Sequence, residues 1–371
     1  MRGTRAFITA GIGGLAVAAT IAGAWAGAAQ AQGPASASAP GPGPGPQWHI
    51  VKSVTTDASG GFTAIVATGA TTGWAFDGQG TTTLATAWER AGGTWKKVPF
   101  PSGKSEVVVT AGASSPSDVW AFTQVHSTGG SRVLHWNGHT WSVVTTFTRP
   151  IADASVAAAN DVWVFGYAPT PTAPALGAWY YNGHVWKHDG GNVQGGSALA
   201  PNYVWGYNLG TIEAWHGLHW WATQVSLPPR NGHNDPLITG TLALSRTDDF
   251  FYANGNDEGD GGPLVVERYD GSIWHVVAEG NVGFGPMPEV STDGSGGLWL
   301  PMYGPPTGNS FLVHYTPSGG LATAALPAGP ASIRIYAVSR IPGTTEQIAA
   351  GVMHASGDPG QDVTGVILQY S

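Results

Sequence analysis

The stretch DVWAFTQVHSTGGSRVLHWNGHTW, residues 118–141, decides the fold of this chain because both of its halves recur. The first half, Asp118-Val119-Trp120-Ala121-Phe122, is an apolar run that begins at an acidic turn residue. The second half, from Leu134 to Trp141, places Asn-Gly between aromatic residues. Asn-Gly supplies the positive φ angles of a tight hairpin turn, and alternation of aromatic and polar residues is typical of strands. The stretch therefore predicts one strand followed by a β-hairpin.

Copies of the first half recur at intervals of 42 to 48 residues. Their central aromatic residues are Trp74, Trp120, Trp163, Trp205, Phe251 and Trp299. Copies of the hairpin follow several of them, at 180–186, 214–220 and 268–274. An apolar strand precedes each copy, for example at 107–111 or 237–244. One unit thus holds four strands, here called A, B, C and D in chain order.

Repeated four-stranded units of this length are typical of propeller blades. The 325 residues from 47 to 371 divide into seven units of about 46, and a seventh strand B is expected at 346–351. The segment 47–51 resembles a strand D with nothing before it, and 366–371 resembles a strand C with nothing after it. We therefore predict an all-β fold, a single seven-bladed β-propeller of four-stranded antiparallel blades. An N-terminal strand completes the last blade and removes the exposed sheet edge.

The repeats resemble those of kelch-like propellers, and more closely those of the secreted repeat propellers of actinobacteria. Kelch blades pair an apolar strand ending in Gly with a Tyr-Asp…Trp hairpin. Similar runs here are Val162-Trp163-Val164-Phe165-Gly166 and Tyr269-Asp270-Gly271-Ser272-Ile273-Trp274. The resemblance implies the fold and says little about function, because propellers include binding proteins, scaffolds and enzymes.

The N-terminal segment predicts export. Arg2 and Arg5 precede an Ala/Gly-rich apolar stretch, and Ala29-Gln30-Ala31 offers a cleavage site. We expect a secretory signal peptide at 1–31, a disordered Pro/Gly-rich leader at 32–46 and the propeller domain at 47–371. The mature protein is then secreted and extracellular, with no membrane association after cleavage.

Composition excludes several classes of function. The chain has no Cys, which rules out disulfides, thiolate zinc sites and thiol catalysis. It carries 15 Lys and Arg against 23 Asp and Glu, a net charge of −8, and no basic run, so we expect no nucleic-acid partner. We expect a monomer whose partner is a glycan or an extracellular protein.

Individual chemistry is expected in the B–C and D–A connections, which surround the channel mouth on one face of a propeller. Nine carboxylates lie in these segments: Asp153, Asp189, Asp235, Asp257, Glu258, Asp260, Glu289, Asp358 and Asp362. Glycoside cleavage needs two carboxylates that face each other. The sequence leaves open which two approach.

The same face supplies the other candidate residues. Catalytic candidates, if the protein is an enzyme, are His233, Asp235, Arg230, His126 and His354. Ligand-binding candidates are Tyr167, Tyr207, Tyr303, His126, Arg230 and His233. Each of these also has a structural interpretation, as a packing residue or a solvated turn.

One acidic connection partly matches a calcium loop. Asn256, Glu258, Asp260 and Glu267 stand near the spacing of oxygen ligands in such loops, although Pro263 and the residue types at two positions depart from it. Calcium is therefore a weak candidate, and otherwise we expect no cofactor.

The favoured function is a secreted, non-catalytic binding propeller that recognises a glycan, a cell-wall polymer or an extracellular protein through its channel-mouth loops. The alternative is a polysaccharide-active lyase or hydrolase that uses His and carboxylates of the same face. A purely structural surface protein is a third hypothesis, which predicts a channel filled by apolar side chains.

Overall fold

The computed structural model describes residues 45–371 except 56–60, 79–83, 104, 169–171, 209, 224, 226–236, 255–262, 281, 283–288, 303–310, 329–331 and 355–362. Residues 47–371 form one compact unit of seven four-stranded sheets. In the described part of the chain, no helix is long and apolar enough to cross a membrane.

The first three complete blades follow each other along the chain. Blade 1 contains β2 (Phe62–Gly69), β3 (Thr72–Asp77), β4 (Thr86–Ala91) and β5 (Thr94–Val98). Blade 2 contains β6 (Glu106–Ser115), β7 (Asp118–Val125), β8 (Gly130–Trp136) and β9 (Trp141–Phe147). Blade 3 contains β10 (Asp153–Ala158), β11 (Asp161–Gly166), β12 (Gly177–Tyr181) and β13 (Trp186–Gly190).

The remaining four blades complete the ring. Blade 4 contains β14 (Gly195–Ala200), β15 (Tyr203–Asn208), β16 (Thr211–Trp215) and β17 (Trp220–Thr223). Blade 5 contains β18 (Leu237–Leu242), β19 (Asp249–Asn254), β20 (Leu264–Tyr269) and β21 (Trp274–Gly280). Blade 6 contains β22 (Ser291–Thr292), β23 (Leu298–Met302), β24 (Phe311–Thr316) and β25 (Gly320–Ala324). Blade 7 contains β26 (Ser332–Arg340), β27 (Gln347–His354), β28 (Val363–Tyr370) and β1 (Trp48–Thr55).

The predicted closure of the ring is confirmed. The N-terminal strand β1 pairs antiparallel with β28, in a register that runs from Trp48 opposite Tyr370 to Thr55 opposite Thr364. The A strands of neighbouring blades contact one another, for example β2 with β6 and with β26. They are therefore the inner strands that surround the channel.

The predicted hairpin turns are also present. Gly138 and Gly183 adopt φ angles of 89°, and Gly271 adopts 97°. The carboxamide oxygen of Asn137 accepts hydrogen bonds of 3.0 Å from the N–H groups of His139 and Thr140. The Asn-Gly sequence thus caps the turn with its own side chain, as such turns require.

The hydrophobic core is divided into seven clusters, one between each pair of neighbouring blades. In five of these interfaces a strand-B tryptophan contacts the strand-D tryptophan of the next blade. The ring centroids lie 4.9 to 6.4 Å apart in the pairs Trp74–Trp141, Trp120–Trp186, Trp163–Trp220, Trp205–Trp274 and Trp299–Trp48. The recurrent tryptophans therefore join the blades, because large aromatic side chains bury the most apolar surface.

Blade 5 departs from the predicted spacing by one residue. Phe250 and Tyr252 pack against blade 6, whereas Phe251 packs toward blade 4 with Trp274. Tyr252 pairs across the sheet with Gly240, after an irregularity in β18. Of the two adjacent phenylalanines, Phe250 is therefore the counterpart of the repeated tryptophan.

We expect Trp48→Ala to lower the free energy of unfolding by about 3–5 kcal/mol, because Trp48 is buried between blades 6 and 7 in the closing strand. Trp221→Ala is the matched control, since Trp221 also lies on an outer strand but is 60% exposed. It should change stability by less than about 0.5 kcal/mol. Urea denaturation measures both, and equal effects would contradict the role of β1 in closing the ring.

Candidate functional site

Serine hydroxyls on the inner strands link successive blades at one level of the channel. Each accepts a hydrogen bond of 2.9 to 3.0 Å from a backbone N–H of the next blade. The pairs are Ser155 with Ala198, Ser197 with Ala243, Ser291 with Arg340, and Ser339 with Ala67. These bonds align the inner strands, so that equivalent positions of different blades lie at the same level of the ring.

One position of the inner strand is equivalent in all seven blades, two residues before the serine or before the residue that replaces the serine. The seven residues at this position are called the channel ring. Its members are Ala64, Thr110, Asp153, Gly195, Gly240, Glu289 and Ala337. In five blades the ring residue pairs across the sheet with an aromatic residue of strand B. These partners are Phe76, Phe122, Phe165, Tyr207 and Tyr252. The repeat thus places one residue per blade at the same level of the ring.

Blades 4 and 5 differ from their neighbours at this position. They carry Tyr207 and Tyr252 where blades 1 to 3 carry phenylalanine, and the ring residues opposite them are Gly195 and Gly240. A Cβ atom on either glycine would overlap the phenol ring and hydroxyl of the facing tyrosine. The two glycines therefore make room for tyrosine side chains that extend over the inner strand.

Two acids share the channel with these tyrosines. The carboxylate of Asp153 accepts the N–H of Gly196 in blade 4 at 2.9 Å and the N–H of Ala154 at 2.8 Å. Glu289 interacts electrostatically with Asp153 and accepts a hydrogen bond from Thr110 of blade 2. Five residues, one from each of blades 2 to 6, are called the channel cluster below. They are Thr110, Asp153, Tyr207, Tyr252 and Glu289.

The acids of the channel cluster hold their protons unusually tightly. Burial raises the pKa of Asp153 to about 7, although its two backbone hydrogen bonds favour the charged form. Burial also raises the pKa of Glu289 to about 8, and the charge of Asp153 adds to that shift. Burial, and after it the charges of Asp153 and Glu289, raise the pKa of Tyr207 well above 10. Burial does the same for Tyr252, where Tyr207 and then the two acids add to the shift. At pH 7 Glu289 is therefore mostly protonated, and Asp153 is about half protonated.

Of the residues predicted from sequence, Tyr207 lies in the channel cluster together with Asp153 and Glu289, two of the nine carboxylates considered. Tyr167 follows β11 and is partly buried. His126 is exposed in the turn after β7, where its N–H donates to Ser105 at 2.9 Å. Thr110 and Tyr252 were missed, because they lie inside strands rather than in the connections.

His354 ends β27 and is partly buried. Burial and the charge of Arg334 lower the pKa of His354. No hydrogen bond or ion pair joins His354 to His126 among the residues the structure describes. Outside the described residues lie the predicted signal peptide, residues 32–44 of the predicted leader, and Arg230, His233, Asp235, Tyr303, Asn256, Glu258 and Asp260.

Glu267, the fourth calcium candidate, lies on β20 and is completely buried. Neither of its carboxylate oxygens has a hydrogen-bond partner in the described part of the chain. The described residues contain no group of three or more His, Asp and Glu able to hold a metal ion. Calcium binding by the 256–267 segment stays a prediction.

Comparisons with known proteins show the fold alone. No family model matches the sequence, and no curated protein matches it either. The WD40 repeats of RRP9 are 12% identical, with a TM-score of 0.55 over 88% of this chain and 98% of that one. YCF48 from Cyanidioschyzon merolae is 12% identical, with a TM-score of 0.53 over 87% and 98%.

A third similar structure is the extracellular domain of a putative hybrid two-component system from B. thetaiotaomicron. It is 9% identical, with a TM-score of 0.55 over 87% of this chain and 39% of that one. The seven-bladed propeller is thus confirmed, while the kelch-like type and the actinobacterial resemblance stay predictions.

Glu267 makes a prediction about pH. Burial raises its pKa to about 7, against the opposing charge of His275, so the folded state binds this proton more tightly than the unfolded state. Stability should therefore fall as pH rises from about 4.5 to 7 and stay low above that. Relative to wild type, Glu267→Gln should gain up to about 3 kcal/mol of unfolding free energy between pH 4 and pH 8.

Denaturant unfolding at both pH values measures this gain. Glu279→Gln is the control, because Glu279 is exposed on β21 of the same blade. A gain in Glu267→Gln no larger than that in Glu279→Gln would show that Glu267 stays solvated or paired.

The glycines opposite the tyrosines make a second prediction for the site. Gly195→Ala and Gly240→Ala should each cost about 1–3 kcal/mol, because the added methyl group displaces Tyr207 or Tyr252. Gly210→Ala is the control, since nothing lies within 4 Å of a Cβ there. Adding Tyr207→Ala to Gly195→Ala should cost less than the two single changes together. Strict additivity would mean that the glycine does not accommodate the tyrosine.

Proposed function

We propose that this protein is a secreted, non-catalytic binding propeller that recognises a glycan or cell-wall polymer at the mouth of its channel. The observation that carries the proposal is the convergence of the channel cluster. Five successive blades each contribute one hydrogen-bonding side chain to a shared space. A concave site with aromatic walls and a few convergent polar groups is typical of small-ligand recognition.

The position of the cluster supports this role. Asp153 and Gly195 begin their inner strands, and Glu289 precedes β22. The cluster therefore lies toward the face formed by the D–A and B–C connections. Those connections do not repeat from blade to blade, so they can add ligand contacts that the scaffold lacks.

The polar channel cluster argues against the hypothesis of a purely structural protein, which predicts a channel filled by apolar side chains. A scaffold without a ligand gains nothing from two partly buried acids near each other, because burial without a counter-charge costs free energy. Polar side chains placed where apolar ones would be more stable favour a binding role.

Binding is tested by calorimetry and thermal shift with the mature chain, residues 32–371. The probes are cellohexaose, chitohexaose, soluble mannan and peptidoglycan fragments. We expect one glycan to bind selectively, and Tyr207→Phe to weaken it about 5- to 30-fold through loss of one hydrogen bond. Tyr370→Phe is the control, because Tyr370 packs against Trp48 and Trp299 in blade 7, away from the channel. Absence of binding to every glycan would overturn the proposal and favour a protein partner.

The alternative function, a polysaccharide-active lyase or hydrolase, has one specific observation in its favour. Asp153 and Glu289 are close enough to influence each other, and their raised pKa values suit acid–base chemistry. It predicts that the bound polysaccharide is cleaved, which an assay for new reducing ends or unsaturated products detects. Glu289→Gln should then abolish cleavage, and an intact polymer after long incubation excludes this function for that substrate.

A further inference from the structure

One exposed position on the outer strands is apolar only in blade 4. The residue that directly follows the strand-D tryptophan is exposed in all six blades that have this tryptophan. In blades 1, 2, 3, 5 and 7 it is polar, namely Lys96, Ser142, Lys187, His275 and His49. In blade 4 it is Trp221, which is 60% exposed. Tryptophan is highly buried on average, so a tryptophan left in water here departs from both the repeat and the norm.

The hairpin turn of the same blade shows the same change. Leu218 is 80% exposed at a turn position where blades 2, 3 and 5 carry His139, His184 and Ser272. A Cβ atom on the adjacent Gly217 would lie 3.4 Å from the Cβ atom of Asn202, so this turn lies against the A–B turn of its own blade. Leu199 and Pro201, both exposed, belong to that A–B turn and extend the apolar surface.

The two neighbouring blades continue this surface. Val185 of blade 3 and Ile273 of blade 5 are exposed just before the strand-D tryptophan, where blades 1 and 2 carry Thr94 and Thr140. The indole N–H of Trp220 donates to the carbonyl oxygen of Asp189 at 3.1 Å, which fixes the outer strand of blade 4 to blade 3. Five exposed side chains are called the apolar rim below. They are Val185, Leu199, Leu218, Trp221 and Ile273.

The distribution of charge indicates what covers the apolar rim. Residues 190–229 contain one charged side chain, Glu213, which is partly buried and lies on the opposite face of blade 4 from Trp221. Without Arg2 and Arg5, the predicted mature chain has 13 Lys and Arg against 23 Asp and Glu, a net charge of −10. Two copies of so acidic a chain repel each other, and this repulsion is weakest where they meet through a surface without charge. An anionic lipid bilayer would repel the chain in the same way.

We propose that the apolar rim is a homodimer interface, through which two copies of the chain pair about a two-fold axis at the outer strand and hairpin turn of blade 4. Such a contact joins the same patch of both copies, and an uncharged apolar patch is complementary to itself. A tryptophan near the centre of an interface commonly contributes much of the binding energy.

The proposed dimer replaces the monomer expected from the sequence, and it does not depend on what the channel mouth binds. The turns of the apolar rim are A–B and C–D turns, which lie on the face opposite to the mouth. Both mouths therefore stay open in the dimer. Two linked sites on one polymer bind more tightly than one, so dimerisation would strengthen attachment to any repeating ligand.

Sedimentation velocity of the mature chain, residues 32–371, tests the dimer. We expect a monomer–dimer equilibrium with a Kd on the order of 10 µM, because five exposed apolar side chains make an interface at the low end of the usual size range. Leu218→Glu and Trp221→Glu should each raise this Kd at least about 30-fold, since each places like charges opposite each other in the contact.

Blade 2 supplies matched controls for both substitutions. His139→Glu and Ser142→Glu add the same charge at the equivalent exposed positions and should change the Kd by less than about threefold. Thermal melts of all four variants show that they are folded.

Cross-linking locates the interface independently. The chain has no Cys, so Leu218→Cys introduces a single thiol. A flexible bifunctional maleimide should then yield covalent dimers, because both copies of residue 218 lie in the same contact. His139→Cys is the control and should yield no more than the background of random collisions.

Three results would overturn the proposal. The first is a wild-type chain that stays monomeric up to about twenty times the expected Kd. The second is a dimer that Leu218→Glu and Trp221→Glu weaken no more than the blade 2 controls do, which would place the contact elsewhere. The third is a monomer that binds vesicles of phosphatidylcholine and phosphatidylglycerol through Trp221, which would assign the apolar rim to a lipid surface.

Discussion

Each blade of this propeller depends on its neighbours for half of its core. A four-stranded sheet with apolar side chains on both faces cannot bury them alone, and here the strand-B tryptophan of one blade packs against the strand-D tryptophan of the next. The arrangement is stable only if it continues around the ring. Pairing of β1 with β28 meets that condition, because it completes blade 7 and so gives every blade a neighbour on both faces. Tertiary packing of this kind also explains how the chain can dispense with disulfides.

Closure brings seven inner strands to one axis, and the space there is small. Equivalent residues of different blades become neighbours even though 42 or more residues separate them in the chain. Most of the channel ring accordingly consists of small residues, and the aromatic partner in blades 1 to 3 is phenylalanine. Replacement of phenylalanine by tyrosine in blades 4 and 5, together with glycine opposite, places hydroxyl groups where the other blades are apolar. The paired change distinguishes blades 4 and 5 from the rest of the ring.

Much of the fold could be predicted from the sequence, because the period of the repeat is visible in residues such as Trp120, Trp163 and Trp205. The hairpin turns could be predicted for a similarly local reason, since Asn-Gly fixes its own backbone geometry. Blade 5 shows the limit of this approach. Its Asp-Phe-Phe-Tyr run offers two adjacent aromatic residues, and only the pairing of Tyr252 with Gly240 identifies Phe250 as the repeated one.

The candidate site was only partly visible in the sequence. Asp153, Glu289 and Tyr207 were among the residues considered, but nothing local distinguished Asp153 and Glu289 from the seven other carboxylates of the same face. Tyr252 and Thr110 lie inside strands, where a structural role is the default expectation. A usable signal did exist. Each ring residue stands 12 positions before its aromatic partner in blades 1 to 5, and the Gly…Tyr combination occurs in blades 4 and 5.

The sequence by itself determined the number of blades, the four strands of each and the strand that closes the ring, because these follow from periodicity and from turns of a few residues. Tertiary structure alone decided which side chains meet in the channel and which acids keep their protons. Both depend on distance and burial between residues of different blades. Asp153 is an ordinary aspartate as the first residue of a strand, and its pKa rises to about 7 because closure of the ring buries it.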